Sequence, residues 1–216
     1  MNSSDQRRRR PALQAYHHGA LRAAALTEAR RILARKGADA VTLRAIARSV
    51  GVTANALYRH FQNKDALLGA LAEEGFRELS QRFQSIAERD PQARFIEMAR
   101  QYVGFGIAKP ALLQVMFGRA MARLSKNSSL GSAAKEAFLE LLRGAADAAG
   151  LPLETTDSFQ LAIACWSLVH GYATLATNGA LDSLTIGKRP DIRALARFIE
   201  LNPKQWPTIS ASPRTK

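Results

Sequence analysis

The chain has 216 residues, of which 47% are hydrophobic, with one cysteine and a formal net charge of +13. This length suffices to bury a core in one domain or two small ones, and no uninterrupted apolar run reaches the roughly 18 residues of a membrane-spanning helix. Residues after Arg7–Arg10 lack the apolar stretch of a signal peptide, and a single cysteine forms no intrachain disulfide. We therefore predict a cytoplasmic protein.

The positive charge is concentrated in the first third of the chain. Residues 1–65 hold 13 basic and 4 acidic side chains, a net charge of +9, whereas the rest hold 18 and 14, a net charge of +4. A positive electrostatic field concentrated on one small segment attracts nucleic acid or an anionic membrane surface. The alternative at this point is a soluble protein that is merely rich in arginine.

The first predicted helix follows a basic segment. Residues 1–15 contain four consecutive arginines and no periodic apolar pattern, which predicts a flexible basic arm. From about Ala20 the apolar residues recur at helical spacing, and Lys36-Gly37 supplies a stop signal. The predicted buried face of this helix consists of Ala25, Ala29, Ile32 and Leu33.

Two short helices and the start of a longer one come next. Thr42 is the predicted N-cap of the first, since its hydroxyl can accept a hydrogen bond from an orphan amide, and Gly51 its predicted end, since glycine adopts the left-handed conformation easily. Thr53 and Asn63 are predicted to cap the next two helices, with Asp65 complementing the last dipole. The predicted buried positions are Leu43, Ile46, Ala47, Val50, Leu57 and Phe61.

The rest of the chain also has helical periodicity, without the alternation that is typical of strands. Pro110 is predicted in the first turn of its helix, where a missing amide hydrogen costs nothing. Residues 202–216 hold three prolines and are predicted to be loose. The predicted helices span 64–88, 92–107, 110–123, 130–149, 156–178 and 190–201. We predict an all-α fold of about nine helices.

Residues 42–67, TLRAIARSVGVTANALYRHFQNKDAL, have the spacing of a helix-turn-helix, in which the second helix enters the DNA major groove. Asn55, Tyr58 and Arg59 cluster at i, i+3 and i+4 on the outer face of that helix. Asparagine can bind an adenine edge and arginine a guanine edge, whereas tyrosine, histidine and lysine suit phosphate oxygens. A helical hairpin with a solvated polar face is the alternative.

Residues 41–68, VTLRAIARSVGVTANALYRHFQNKDALL, resemble the DNA-binding domain of the TetR (tetracycline repressor) family of bacterial transcriptional regulators. The matching positions include Thr42, Ile46, Ala47, Gly51, Val52, Leu57, Tyr58, Phe61 and Lys64. The sequence departs from the family at two positions. Family members often have an acidic residue where Ala45 stands, and glycine or proline where Asn55 stands.

The resemblance implies a three-helix DNA-binding head, here residues 16–65, and a helical effector-binding and dimerisation body, here residues 66–201. It also implies a homodimer on a palindromic DNA operator. The DNA contacts predicted from the residues and the resemblance together are Arg10, His18, Thr42, Arg44, Thr53, Ala54, Asn55, Tyr58, Arg59, His60 and Lys64.

The stretch YHHGALR, which begins at residue 16, places His17 and His18 ahead of the first helix. Adjacent helical residues point about 100° apart, and no cysteine or acidic ligand lies nearby in sequence, so a metal site is disfavoured. We predict instead that these histidines and the amides after Gly19 lie near the DNA backbone. The arginines of the arm would then reach a phosphate or the minor groove.

Residues 164–181, ACWSLVHGYATLATNGAL, resemble the Trp-x-x-x-His-Gly signature of one TetR subgroup, as do KPALLQVMFG (residues 109–118) and YHHGALR. Cys165 and His170 could be considered a nucleophile and base, but five helical positions separate their side chains by about 140°. We interpret Cys165 as a small buried residue. His170 packs with Trp166 in one interpretation and makes a pocket or interface hydrogen bond in the other.

By the same resemblance, the effector lies inside the body, and the last two helices, about residues 160–200, form the dimer interface. Aromatic and methionine side chains at helical spacing are also typical of a plain core. Few acidic residues accompany them, which favours a small apolar effector. The predicted effector-pocket residues are Tyr102, Phe105, Met116, Phe117, Met121, Phe138, Trp166 and His170.

Three classes of function compete. The leading hypothesis is a repressor that a small-molecule effector releases from its operator, and the second is an architectural DNA-binding protein without an effector. The third, an enzyme, is disfavoured because the sequence has no Gly-rich phosphate loop, no metal-ligand spacing and no credible triad. We therefore predict no cofactor, no metal and no membrane partner.

Overall fold

A computed structural model describes residues 5–118 and 128–184, including the side chains of residues 19–118, 128–181 and 183. The chain divides into two compact units: one comprises residues 1–81 and 108–137, and the other residues 82–107 and 138–216. The described residues form helices and no strand. The predicted all-α fold is therefore confirmed.

The first unit begins with a long helix, α1, which spans Asp5–Lys36. The sequence predicts a helix only from about Ala20, and this start is wrong because the helix begins at Asp5; the flexibility predicted for residues 1–15 stays a prediction. Arginine, alanine, leucine and glutamine are good helix formers, and here they outweigh the helix-breaking tendency of Pro11 and Gly19. Residues 1–4 lie outside the described residues.

Two turns with left-handed glycines shape the segment after α1. Gly37 has a φ of 76° and precedes a short 3-10 turn, Ala38–Ala40. Helix α2 spans Leu43–Val50 and ends at Gly51, whose φ of 74° lies where side chains with a Cβ are strained. Helix α3, Ala54–Tyr58, follows. The predicted stop at Gly37 and the predicted end at Gly51 are confirmed.

The apolar faces of α1, α2 and α3 pack against one another. Val50 is the one predicted position that is only partly buried, because it lies in the last turn of α2 beside Gly51. The other predicted core positions are buried: Ala25, Ala29, Ile32, Leu33, Leu43, Ile46, Ala47, Leu57 and Phe61.

The first unit also contains most of α4 (Lys64–Gln84), all of α6 (Pro110–Met116) and the start of α7 (Ser129–Ala149). Pro110 occupies the first turn of α6, as predicted. Helix α6 ends at Met116, short of the predicted 123, and residues 119–127 lie outside the described residues. A side chain at Gly75 would overlap Met116 Sδ, so glycine permits the close approach of α4 and α6.

The second unit contains α5 (Pro91–Ala108), most of α7, α8 (Thr156–Thr177) and the short α9 (Ala180–Leu184). The sequence had extended α8 to 178 and did not predict α9. The predicted helix 190–201, the loose segment 202–216 and part of the predicted dimer region lie outside the described residues.

Helix α8 opens with a capping box between Thr155 and Ser158, in which each side chain accepts from the backbone amide of the other. By length and composition alone it could cross a membrane. Core helices of water-soluble proteins meet the same criterion. Within its apolar window, 22% of the residues are buried inside the chain.

Candidate nucleic-acid interface and effector site

Threonine caps fix the start of both short helices of the helix-turn-helix. The Thr42 hydroxyl accepts a hydrogen bond from the Ala45 amide at 3.1 Å, and the Thr53 hydroxyl accepts one from the Ala56 amide at 3.3 Å. Both N-caps are therefore confirmed. Thr42 caps α2 even though Ala45 cannot complete a capping box, because the hydroxyl needs only the amide.

Helix α3 has one buried face and one exposed polar face. Leu57 is fully buried against the core, whereas Asn55, Tyr58 and Arg59 are exposed. Tyr58 is 47% exposed. Ala54 is half-buried. The structure thus brings the three predicted base-contacting and phosphate-contacting side chains onto one outer face.

The other predicted contacts lie at the start of α2, on either side of α3 and at the start of α4. Thr42, Arg44 and Thr53 are exposed, while His60 and Lys64 are half-buried. The Lys64 ammonium donates a hydrogen bond to the Asp39 carbonyl oxygen at 3.2 Å, in the 3-10 turn. An ammonium has three donors, so this bond positions Lys64 without using all of its hydrogen-bonding capacity.

Arg10, His17 and His18 belong to α1, and the structure describes only their backbone. Their predicted contacts with DNA stay predictions. Among the described residues, no group of histidine, cysteine and acidic side chains is arranged to hold a metal ion.

A polar contact that the sequence analysis missed ties α1 to α2. The Glu28 carboxylate accepts hydrogen bonds from the Arg31 guanidinium at 2.6 and 2.7 Å and from the Ser49 hydroxyl at 2.7 Å. These donors, Arg31 first, lower the pKa of Glu28 to about 2. The spacing of Glu28 and Arg31 is visible in the sequence, whereas the contact with Ser49, 21 positions away, depends on how the helices pack.

In the second unit, three side chains form a hydrogen-bonded aromatic cluster, here called the Tyr102 cluster: Tyr102, Trp166 and His170. The Trp166 indole nitrogen donates to the Tyr102 hydroxyl oxygen at 3.1 Å. That oxygen lies 2.7 Å from His170 Nδ1. The indole can only donate, so the Tyr102 oxygen accepts there, and with a neutral His170 that carries its proton on Nε2 the Tyr102 hydroxyl donates to Nδ1.

Burial sets the ionisation of this cluster. Tyr102 is 4% exposed, and desolvation raises the pKa of its hydroxyl well above the usual value. Desolvation also lowers the pKa of His170 below 6.5, in agreement with its neutral form. Phe138 contacts the Trp166 ring edge-on at 6.3 Å between ring centres. His170 contacts Trp166 and forms a hydrogen bond with Tyr102, and a pocket or interface role for that bond stays a prediction.

The remaining predicted effector residues fall in different places. Phe105 is fully buried in the second unit, with the Arg82 guanidinium 5.7 Å from its ring centre. Met116 and Phe117 belong to the first unit, where Phe117 meets Phe76 edge-on. Met121 lies outside the described residues. The predicted stripe is therefore divided between the two units, and only its part in the second unit adjoins the Tyr102 cluster.

Cys165 is 2% exposed, and desolvation raises the pKa of its thiol to about 12. A thiol in this state is not a nucleophile at neutral pH, because the thiolate is the reactive form. The interpretation of Cys165 as a small buried residue is confirmed.

Two family models match the chain. Residues 25–71 match a model described as "Bacterial regulatory proteins, tetR family", and residues 95–208 match one described as "Tetracyclin repressor-like, C-terminal domain". The first match contains α2, α3 and both threonine caps. The second, which covers more than half of the chain, contains the Tyr102 cluster.

Individual relatives agree with these matches. "HTH-type transcriptional repressor Rv1474c" of Mycobacterium tuberculosis is 36% identical over 80 residues, 37% of this chain and 41% of the relative, so the chain spans about two fifths of that relative's length. A Rhodococcus sp. RHA1 protein of unknown function is 34% identical, with a TM-score of 0.70, over 86% of this chain and 96% of its own. A TetR variant from Acinetobacter baumannii AYE, solved with minocycline, is 25% identical, with a TM-score of 0.55 over 83% of this chain and 89% of its own.

Proposed function

This chain belongs to the TetR family of bacterial regulatory proteins, and on that premise we propose that it is a sequence-specific DNA-binding transcriptional repressor, released from a palindromic operator by a small-molecule effector. The observation that carries this proposal is the outer face of α3. It presents Asn55, Tyr58 and Arg59 to solvent on the side opposite the fully buried Leu57.

Each exposed side chain of α3 suits a different part of DNA. Asn55 and Arg59 have the paired donors and acceptors that read adenine and guanine edges in the major groove. Tyr58 suits a phosphate oxygen, as do the side chains around it, which fix the register of the helix on the duplex. The contacts that complete the proposed interface come from Arg10, His18, Thr42, Arg44, Thr53, Ala54, His60 and Lys64. The relative from Mycobacterium tuberculosis, itself named a repressor, supports this assignment.

We propose that the protein acts as a homodimer through α8 and the residues that follow it. Phe159 and Leu175 of α8 are 50% and 43% exposed. On the same helix, Gly171 and Ala176 are small enough for close helix approach. Two-fold symmetry in the protein matches a palindromic operator, because each α3 then enters one half-site.

The Tyr102 cluster is our candidate for the effector site. Phe138 contacts Trp166, and this aromatic surrounding favours a small and largely apolar effector. The Acinetobacter relative, solved with minocycline, supports a ligand-binding body. Release from DNA would be a population shift, in which the effector binds better to the conformation whose two α3 helices are wrongly spaced for the operator.

Three further assignments belong to this proposal. The contacts among Trp166, His170 and Tyr102 support placement in the subgroup with the Trp-x-x-x-His-Gly signature. The buried thiol of Cys165 supports a regulator without catalytic activity. A DNA-binding regulator of this family works in the cytoplasm, where the operator is.

Footprinting of the purified full-length chain on genomic DNA tests the proposal. A repressor protects a small number of palindromic sites at physiological salt, and Asn55→Ala relaxes the base preference there. A control change at Gln101, an amide side chain in the second unit, leaves the footprint unchanged. Uniform coating of DNA with a steep salt dependence would instead identify the architectural DNA-binding protein.

A further inference from the structure

A cavity of about 180 Å³ that is open to solvent lies in the first unit, between the second half of α1 and the start of α6. None of its residues belongs to the candidate DNA interface or to the Tyr102 cluster. The residues that line it are Arg30, Leu33, Ala34, Ala108, Lys109, Pro110, Ala111 and Leu112.

The lining combines an apolar wall with two cations. Six of the eight side chains are aliphatic, and the other two are Arg30 and Lys109. An apolar protein cavity of roughly 150 Å³ accepts a benzene ring. This cavity is therefore large enough for one small ring or a short alkyl chain, and its only charged lining residues are positive.

The two cations differ in how closely they are paired with a carboxylate of the protein. The Lys109 ammonium donates to both oxygens of the Glu78 carboxylate, at 2.6 and 2.7 Å, a close ion pair. Arg30 Nε lies 3.5 Å from Glu74 Oε2, which is long for a hydrogen bond, and this buried oxygen has no hydrogen-bond partner among the described residues. The planar guanidinium of Arg30 thus lies near the Glu74 carboxylate without forming a well-aligned hydrogen-bonded ion pair with it.

We propose that this cavity is a ligand site for a small carboxylic acid with an apolar body of about the size of a benzene ring. The ring fills the space between Leu33, Ala111 and Leu112. The carboxylate is bound by Arg30, because a guanidinium recognises a carboxylate through two parallel hydrogen bonds. Neither Glu74 nor Glu78 lines the cavity. This site is additional to the effector site proposed at Tyr102.

Methyl-resolved NMR of the full-length chain tests the site directly, because Leu33, Ala34, Ala108, Ala111 and Leu112 all carry methyl groups. Sodium benzoate is the probe, and benzamide, a neutral molecule of the same shape, is its control. We expect saturable shifts of these methyl signals with benzoate and affinity about tenfold weaker for benzamide, since one charge-assisted pair is lost.

Two pairs of variants separate the carboxylate contact from the apolar one. Arg30→Gln should remove the preference for benzoate over benzamide, whereas Arg35→Gln, an equal charge change outside the cavity, should keep it. Ala111→Leu should abolish binding of both probes by filling the space, and Ala34→Leu provides a second filling variant if the first does not fold.

The proposal is overturned if benzoate causes no saturable shift of the lining methyls up to about 10 mM, a concentration that detects even weak fragments. It is equally overturned if only the Trp166 indole signal responds, since that places the ligand in the second unit. Equal affinities for benzoate and benzamide would remove the role of Arg30. None of these results depends on operator binding, so the proposed repressor function stands or fails separately.

Discussion

The α2–α3 segment and the Tyr102 cluster use polar side chains in opposite ways. On α3, Asn55, Tyr58 and Arg59 point to solvent, while local threonine caps and a buried leucine hold the helix. In the Tyr102 cluster the polar atoms are turned inward and satisfy one another. The first arrangement leaves side chains available for a partner at little cost to folding. In the second, the atoms that stabilise the fold are also those of the effector site that we propose.

Removing a tyrosine hydroxyl from each region gives the largest expected difference in stability between two variants. Tyr102→Phe leaves the Trp166 N–H and His170 Nδ1 without their shared partner, which should lower the free energy of unfolding by about 2–4 kcal/mol. Urea unfolding followed by circular dichroism measures this. Tyr58→Phe is the matched control and should leave unfolding unchanged while weakening operator binding about fivefold, as expected for one phosphate hydrogen bond. Equal destabilisation by both variants would contradict the contrast.

Arg59→Ala tests the exposed region alone. It should weaken binding to the footprinted operator by about 1–3 kcal/mol and relax the preference at one base pair, without changing the unfolding midpoint. Fluorescence anisotropy with the operator and with single-base variants measures both effects. Arg89→Ala, an equal change of net charge in the loop before α5, is the control. If both variants weaken binding alike on every sequence, Arg59 acts only through its charge.

Helix caps allow an intermediate comparison. Thr53→Ala removes the α3 cap, and Thr155→Ala removes the α8 cap, each at a cost of about 1 kcal/mol in unfolding free energy. Only Thr53→Ala should also weaken operator binding, because α3 is the helix that enters the groove. Parallel urea and anisotropy measurements test this. A loss of operator affinity in Thr155→Ala as large as in Thr53→Ala would show that the second unit controls DNA binding even without an effector.

The same contrast explains how much the sequence could predict. Caps and turns depend on neighbours within four residues, so Thr42, Gly51, Thr53 and Asn63 were all predicted correctly. The apolar faces of α1 and α2 were visible for the same reason, from helical periodicity. The start of α1 was wrong, because a basic segment without apolar period can still be helical when its residues favour the helix.

Long-range polar contacts were out of reach of such reasoning. Tyr102 and His170 are 68 positions apart, and Glu28 and Ser49 are 21 apart. The Trp-x-x-x-His spacing indicated that Trp166 and His170 share a helix face, but the hydroxyl that joins them comes from α5. Likewise, no sequence period places Arg30 of α1 beside Lys109 at the start of α6 in one cavity. Their meeting depends on the packing of the helices.

The smallest expected effect is a pH dependence that belongs to the Tyr102 cluster. Burial lowers the pKa of His170 in the folded protein below 6.5, its value when exposed. Between these two pKa values the unfolded chain binds more protons than the folded one, so the free energy of unfolding should fall as the pH drops from about 6.5 and level off below the folded-state pKa. Urea unfolding at a series of pH values measures this slope.

The informative quantity is the difference between the wild type and His170→Asn, because the other titratable groups are common to both proteins. Asparagine keeps a hydrogen-bond acceptor for the Tyr102 hydroxyl but cannot be protonated. The slope between pH 6.5 and the folded-state pKa should therefore be shallower in the variant, while the stability at neutral pH changes less than in Tyr102→Phe. Identical slopes would mean that protonated His170 is accommodated by the cluster, with Tyr102 accepting from both neighbours. In that case the buried cluster would accommodate a positive charge without loss of stability, which we otherwise expect only of the exposed side chains on α3.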